Sequence, residues 1–294
     1  MIKYGLPYKG SKNKLAERIV NLLPRATHFY DLFSGGCAVA HCALTKGRYE
    51  HVHINDINEM MPKAFVKALQ GGFDNEDRWI SREEFFRLKD TDPYVAICFS
   101  FGNNLKDYCY GKDIEPMKKA LHYAIFFDSY ELSDALIGVD LRPIRKCATR
   151  QDKYLMAKRL ISNTSPRLES LERLLQVKNK AGKTSCLTWS TKDYQDVTIE
   201  DNSVIYCDIP YKNTNRYVGK GSNFDYERFY EWCLKQTQPL FISSYEMPET
   251  DFKVIAEFAR TDTLSATNNS KKVIEKIFVP RTQDIKLNSQ LKLF

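Results

Sequence analysis

The sequence has no apolar stretch near the ~20 residues that a membrane-spanning helix requires. Its opening segment, MIKYGLPYKGSKNK, lacks the apolar core of a secretory signal. These two absences lead us to expect a soluble, cytoplasmic protein with no membrane partner. No internal repeat and no low-complexity tract is present, which excludes solenoid and linker-like classes. There are 8 cysteines but no C-x-x-C pair, and the 5 histidines do not fall at zinc-finger spacings. Cysteines in apolar runs such as VIYCD and AVAHC read as buried, reduced thiols. His51 and His53 flank Val52 and would share one face of a strand, but no third ligand accompanies them, so no metal is expected.

What is present suits a globular protein with one large α/β domain plus an inserted or appended smaller one. The 294 residues are 43% hydrophobic and 13% aromatic, enough for a substantial core. The formal net charge of +7 favours a polyanionic partner without deciding it. Arg142, Arg145, Lys146, Arg150, Lys153, Lys158, Arg159 and Arg167 crowd one stretch, which fits either a nucleic-acid face or a solvated helix surface.

Strand-like and helix-like text alternates, predicting a mainly parallel sheet with crossover helices. Leu15, Ile19 and Leu22 recur at helical spacing over 11–23, and Pro24 stops the helix. His28–Leu32 reads as a buried strand, Cys37–Leu44 as a helix, His51–Asn55 as a second strand and 57–69 as a second helix. Further strands are expected at Ser185–Ser190, Val204–Asp208, Leu240–Ser244 and Ile274–Val279. From Gly71 to about Arg150 the text is polar and aromatic, as expected of a smaller, largely helical insertion. The expected division is therefore 1–70 with 184–294 as one domain and 71–183 as the insertion.

Two motifs carry chemistry. In THFYDLFSGGCAVA a buried strand runs into Gly35-Gly36, where the missing Cβ atoms permit a sharp turn and close approach of a ligand. Asp56 follows the next strand, where a carboxylate can accept hydrogen bonds from ribose hydroxyls. The dinucleotide fingerprint G-x-G-x-x-G is absent, which disfavours NAD and leaves S-adenosylmethionine, a nucleoside cofactor with no pyrophosphate to cradle. The second motif, Asp208-Ile209-Pro210-Tyr211, ends the strand SVIYC. Methylation of an exocyclic amine needs acceptors for the amine hydrogens, because the nitrogen lone pair is delocalised into the ring. Asp208 and a backbone carbonyl, that of Ile209, would supply them. Pro210 fixes the turn and Tyr211 can stack on a flipped-out base.

Taken together, these residues resemble the Dam-like DNA adenine methyltransferases over nearly the whole chain. PYKGSKNKL resembles the family's N-terminal element, placing Tyr8 and Lys12 beside the cofactor. DLFSGGCAV resembles its F-x-G-x-G loop through Phe33, Ser34, Gly35 and Gly36, with Cys37 where the pattern has its second glycine. Asp56 matches the ribose acid, and Asp193-Tyr194 the pair bordering the cofactor's adenine. Asp208–Tyr211 resembles the catalytic D-P-P-Y, with Ile209 replacing the first proline, and Asp208 also borders the cofactor.

The resemblance implies a Rossmann-like α/β methyltransferase sheet with an inserted, mainly helical target-recognition domain. It implies a site-specific adenine-N6 methyltransferase that acts on double-stranded DNA with S-adenosylmethionine, flips the base, and needs no metal. The leading acid resembles N6-adenine enzymes, while N4-cytosine enzymes more often carry serine. Cytosine N4, RNA and a silent DNA-binding relative stay open as alternatives. In the insertion, Asn103, Asn104 and Lys106 are candidate base readers, and Arg142, Arg145 and Lys146 candidate phosphate contacts. Arg216, in a polar loop after the catalytic turn, is a further candidate DNA contact. Contacts within a single DNA turn suit a monomer, and a dimer stays open.

Overall fold

A computed structural model describes residues 3–161, 169–180, 184–212, 224–262 and 271–285. The chain divides into two compact units. One comprises Met1–Leu6, Gly10–Gln70 and Val177–Phe294, and the other Pro7–Lys9 and Gly71–Gln176.

The first unit is built on a seven-stranded sheet among the described residues. Helix α1 (Ala16–Leu22) precedes β1 (His28–Asp31), followed by α2 (Ala38–Lys46), β2 (His51–Asn55) and α3 (Met60–Leu69). The later strands are β3 (Leu187–Ser190), β4 (Ser203–Asp208), β5 (Leu240–Ser244), β6 (Phe252–Asp262) and β7 (Lys271–Pro280). Their order is β3-β2-β1-β4-β5-β7-β6. The first five are mutually parallel, and β7 runs antiparallel to both β5 and β6. This is a Rossmann-like sheet whose order reverses between β1 and β4, the place where such sheets bind ligands outside their strand ends. Central β4 and β5 are buried along almost their whole length, which explains why they read as continuous apolar runs.

The strand expectations hold to within three residues at either end, and one strand was missed. β6 (FKVIAEFARTD) carries the alternation Phe252, Val254, Ala256, Phe258, broken by a register shift between Val254 and Ala256. The bulge breaks the period of two that a sequence reading depends on. The first helix is also shorter than the expected 11–23, because residues before it form a turn in which the Lys12 carbonyl accepts from Leu15 and Ala16 N–H at 2.8 and 2.7 Å.

Asn55 ties the ends of the first three parallel strands together. Its Nδ2 donates to the carbonyls of Leu32 (3.2 Å) and Lys192 (3.0 Å). Its Oδ1 accepts from Ser190 Oγ (2.7 Å) and Lys192 N–H (2.9 Å). The residue is buried, so these contacts replace water rather than compete with it. The N-terminal strap closes on the same region. Leu6 N–H donates to Gly36 O at 2.7 Å, and Gly5, with φ +68°, lies so close that an added Cβ would meet Gly36 O at 2.3 Å.

The second unit is helical where it is regular. Helices α4 (Arg82–Leu88), α5 (Pro93–Cys98), α6 (Glu115–Phe127), α7 (Glu131–Leu136) and α8 (Arg150–Leu160) belong to it, and α9 (Glu169–Lys180) follows. Ser81 and Glu84 form a capping box on α4, and Asp92 with Pro93 starts α5. Leu121, Ala124, Ile125, Leu141, Ile144 and Ala157 pack into its core. Many of the segment's aromatics are core as well: Phe85, Tyr94, Phe99 and Tyr108 are buried, and Trp79 stacks on Tyr110 at 5.6 Å.

All eight cysteines are free thiols, and no group of three or more His, Cys, Asp or Glu is placed to hold a metal among the described residues. No described helix is long and apolar enough to cross a membrane. His51 and His53 do share a sheet face, together with His28 and Tyr30. His28 Nδ1 lies 3.0 Å from His53 Nε2, and His53 stacks on Tyr30 at 4.2 Å. Burial, then the neighbouring His28 and His51, press the His53 pKa down to about 4.

Two predictions follow from these packings. Asn55→Ala should lower unfolding free energy in urea by about 1–3 kcal/mol, because it strands buried carbonyl and N–H groups. A depressed histidine binds its proton more readily in the unfolded chain, so the His53 contribution is complete above the unfolded value of about 6.5 and lost as pH falls towards 4. Melting temperature should therefore drop across that window, and His53→Gln should make the drop shallower.

Candidate active site

Two loops meet at the sheet's reversal point. The β1–α2 turn contains Phe33, Ser34, Gly35 and Gly36, with Gly35 at φ +45°. Asp56, just past β2, reaches back to it: its Oδ2 accepts the Gly35 N–H at 2.7 Å, and its Oδ1 accepts Asn58 N–H at 2.8 Å. Burial raises the Asp56 pKa, and these two N–H groups oppose the rise. The glycine turn and the acid, 21 residues apart, are thus one structure. Cys37 completes the turn at φ +56°, a left-handed conformation that glycine adopts without strain. A glycine at that place in the F-x-G-x-G pattern would take this conformation freely, and here Cys37 takes it.

Across from this turn, Asp208 ends β4. Lys12 Nζ lies 2.6 Å from Asp208 Oδ1 and 3.1 Å from Glu275 Oε1 of β7. Tyr211 OH lies 3.2 Å from the same Asp208 oxygen and donates to the same Glu275 oxygen at 2.8 Å. The four groups therefore form a ring, closed by two hydrogen bonds from Lys12, one from Tyr211 to Glu275, and the 3.2 Å contact of the Tyr211 oxygen with Asp208. Burial raises the Asp208 pKa to about 6, against the lowering effect of Lys12 and with a further rise from Glu275. Burial works against the Lys12 charge, but Asp208 and then Glu275 outweigh it, and its pKa is raised. Tyr211 is pushed well above its ordinary value, first by burial and then by the two carboxylates.

Tyr211 is only 6% exposed, and its ring is covered by Tyr245 at 4.3 Å and by Lys12 at 5.0 Å. In this arrangement it offers a hydroxyl rather than an open face, so stacking on a base requires the turn to shift. The Ile209 side chain is buried in the core, and the Pro210 carbonyl accepts from Tyr226 OH at 3.0 Å.

Phe33 and Tyr194 come together at 5.3 Å in one aromatic wall with Phe224, Phe229 and Trp232. Asp193 sits beside it, accepting Gln195 N–H at 3.0 Å and pairing with Arg228 at 3.3 Å.

Four buried polar atoms at this end of the sheet have no hydrogen-bond partner among the described residues: Ser11 Oγ, Asp31 Oδ1, Ser34 Oγ and Tyr245 OH. Burying such atoms unpaired is costly, so the cradle fits a ligand that is polar along its length. A nucleoside with an amino-acid tail has that character.

Asp31, Asn55, Glu275 and Tyr245 were not singled out from sequence. Asp31 was the legible one, an acid at a strand end directly before the glycine turn. Burial, then Asp208, drives its pKa well above the ordinary carboxylate range. Glu275 lies in an alternating strand where nothing distinguishes it from surface charge.

The remaining candidates, Arg216 apart, belong to the second unit. Tyr8 belongs to the second unit and is half-buried. Asn103, at φ +56°, donates to Ile97 O and Ser170 Oγ, both at 2.8 Å. Asn104 Oδ1 accepts Lys106 and Asp107 N–H at 2.9 and 3.0 Å. Both amides therefore shape the loop, and reading a base would require exchanging these bonds. Lys106, Arg145 and Lys146 are exposed. Arg142 is exposed too but paired with Asp134 and Asp140 at 2.5 and 3.1 Å. Arg216 lies outside the described residues.

Comparison with known proteins gives one family. Residues 8–111 match the model of the D12 class N6 adenine-specific DNA methyltransferases, a span that includes Lys12, the glycine turn and Asp56. No curated protein matches the chain. Among solved structures it is similar to the rRNA methyltransferase aviRa from Streptomyces viridochromogenes, at 11% identity over 94% of this chain and 86% of that one, with a TM-score of 0.33, too low to bear on the fold. The family match covers about a third of the chain, the part that carries the glycine turn and its acid, and there the chain is similar to the D12-class N6 adenine-specific DNA methyltransferases.

Proposed function

We propose that this enzyme transfers a methyl group from S-adenosylmethionine to the N6 amine of an adenine flipped out of double-stranded DNA, within a specific short sequence. The observation that carries this reading is the convergence of the Gly35 turn, Asp56 and the Asp208 carboxylate at the sheet's reversal point. Gly35 and Gly36 would admit the cofactor's backbone-close approach, Asp56 would accept from its ribose hydroxyls, and Phe33, Asp193 and Tyr194 would border its adenine. The unpaired Asp31 oxygen suits its ammonium group. When bound, S-adenosylmethionine supplies an electrophilic methyl on a sulfonium whose leaving group is a neutral thioether, so no metal is required.

The chain's own work is at the amine. Asp208 Oδ1 is occupied by Lys12 and Tyr211, and its Oδ2 carries no partner among the described residues. Oδ2 accepts one N6 hydrogen and the Ile209 carbonyl accepts the other, drawing the lone pair out of conjugation and aiming it at the methyl carbon. As the nitrogen–carbon bond forms and the sulfur–carbon bond breaks, the amine proton moves to Asp208 and on to water. A carboxyl with a pKa of about 6 is a better proton acceptor than an ordinary aspartate and is still ionised at neutral pH. The insertion reads the sequence, with Lys106, Arg142, Arg145 and Lys146 meeting the DNA backbone or base edges.

Expression in a methylation-deficient host followed by modification-sensitive sequencing tests this. The wild type should leave N6-methyladenine confined to one short motif. Asp208→Asn should reduce the rate about 10²–10⁴-fold while the purified variant still binds S-adenosylmethionine. Modification of cytosine or of RNA alone would contradict the assignment of substrate.

A further inference from the structure

The proposed function uses Asp208 but leaves Glu275 without a role. Glu275 is a fully buried carboxylate on β7, a strand that contributes nothing else to the proposed chemistry. Its Oε1 accepts from Lys12 Nζ at 3.1 Å and takes the single hydroxyl hydrogen of Tyr211 at 2.8 Å, which leaves the Tyr211 oxygen 3.2 Å from Asp208 Oδ1.

A lysine ammonium has three hydrogens, and a buried one seeks an acceptor for each. Facing Asp208 alone, Lys12 would spread across both carboxylate oxygens and occupy the one needed by the substrate amine. Glu275 supplies a second buried acceptor on the far side of Lys12, and the same oxygen fixes Tyr211. Lys12 is thereby confined to Asp208 Oδ1, with the Tyr211 hydroxyl beside it.

We propose that Glu275 is a positioning residue of the methyl-transfer site, holding Lys12 on one oxygen of Asp208, with Tyr211 fixed beside it, so that the other oxygen stays open to the target amine. This rests on the reading of Asp208 as the amine acceptor. Glu275 also adds negative charge beside Asp208, which keeps its carboxylate basic. The other groups acting on Asp208 and its surroundings are Lys12, Tyr211, Tyr206, Cys207 and Asp31. Tyr206 is engaged with Ser243 at 2.6 Å, so it does not replace Glu275.

The near-isosteric Glu275→Gln variant of the full chain tests the role, with Glu275→Asp as the conservative rescue. Removing the charge while keeping the shape should move the acid limb of the kcat–pH profile to lower pH by about half a unit or more, because repulsion on Asp208 is relieved. At pH 8, kcat should fall about tenfold or more, while Kd for S-adenosylmethionine and KM for DNA stay within about twofold. Glu275→Asp should recover part of the rate. The Asp208 titration, followed by carbon-13 NMR of labelled aspartate carboxyls, should shift in the same direction. An unmoved acid limb with unchanged kcat, or a parallel loss of cofactor binding, overturns the proposal. The NMR arm does not depend on turnover, so an unshifted Asp208 overturns it even if the wild type methylates nothing.

Discussion

The buried ammonium of Lys12 is the constraint around which the catalytic end of the sheet is organised. A charge 97% removed from solvent survives only if acceptors surround it, and the fold provides them from two strands distant in sequence, Asp208 on β4 and Glu275 on β7. Because Lys12 precedes α1, this pairing fastens the N-terminal segment to the strand ends. The Leu6 and Gly5 contacts with the β1–α2 region fasten it a second time. The ring has both structural and chemical consequences. It pins three segments of chain, and it sets which oxygen of Asp208 is available and how basic it is.

The parallel topology explains why these groups meet. In a sheet of order 3-2-1-4-5, the strands before the glycine turn and before the Asp208 turn are neighbours, although about 175 residues separate them. The insertion occupies the sequence between them without entering the sheet. Asn55 then draws the 190–193 loop against β1 and β2, which brings Asp193 and Tyr194 near Phe33. Positioning here is mostly backbone geometry held by a few buried polar side chains.

The parts of this arrangement legible in the sequence are those whose chemistry is local. Gly35-Gly36 after an apolar strand, and an acid, a proline and a tyrosine after another, announce themselves because turns impose residue types at fixed offsets. Buried parallel strands likewise read as apolar runs. Long-range partners carry no such mark. Glu275 sits in VIEKIF with charge on both sides of the strand pattern, and only the fold shows that it points inward. Asn103 and Asn104 show how a local pattern carries more than one meaning. Asparagines among aromatics suggest base reading, yet both shape a loop in which Gly102, Asn103 and Leu105 all have positive φ. β6 escaped because a bulge interrupts its alternation.

The central claim is that the cradle at the reversal of the sheet binds S-adenosylmethionine. The most direct measurement is photo-crosslinking of methyl-labelled S-adenosylmethionine to the full-length protein, followed by peptide mapping. Label is expected on peptides containing residues 31–37, 56, 193–194 or 208–211, competed away by S-adenosylhomocysteine and not by NAD. Label confined to the insertion, or displaced by NAD in preference, would contradict that claim.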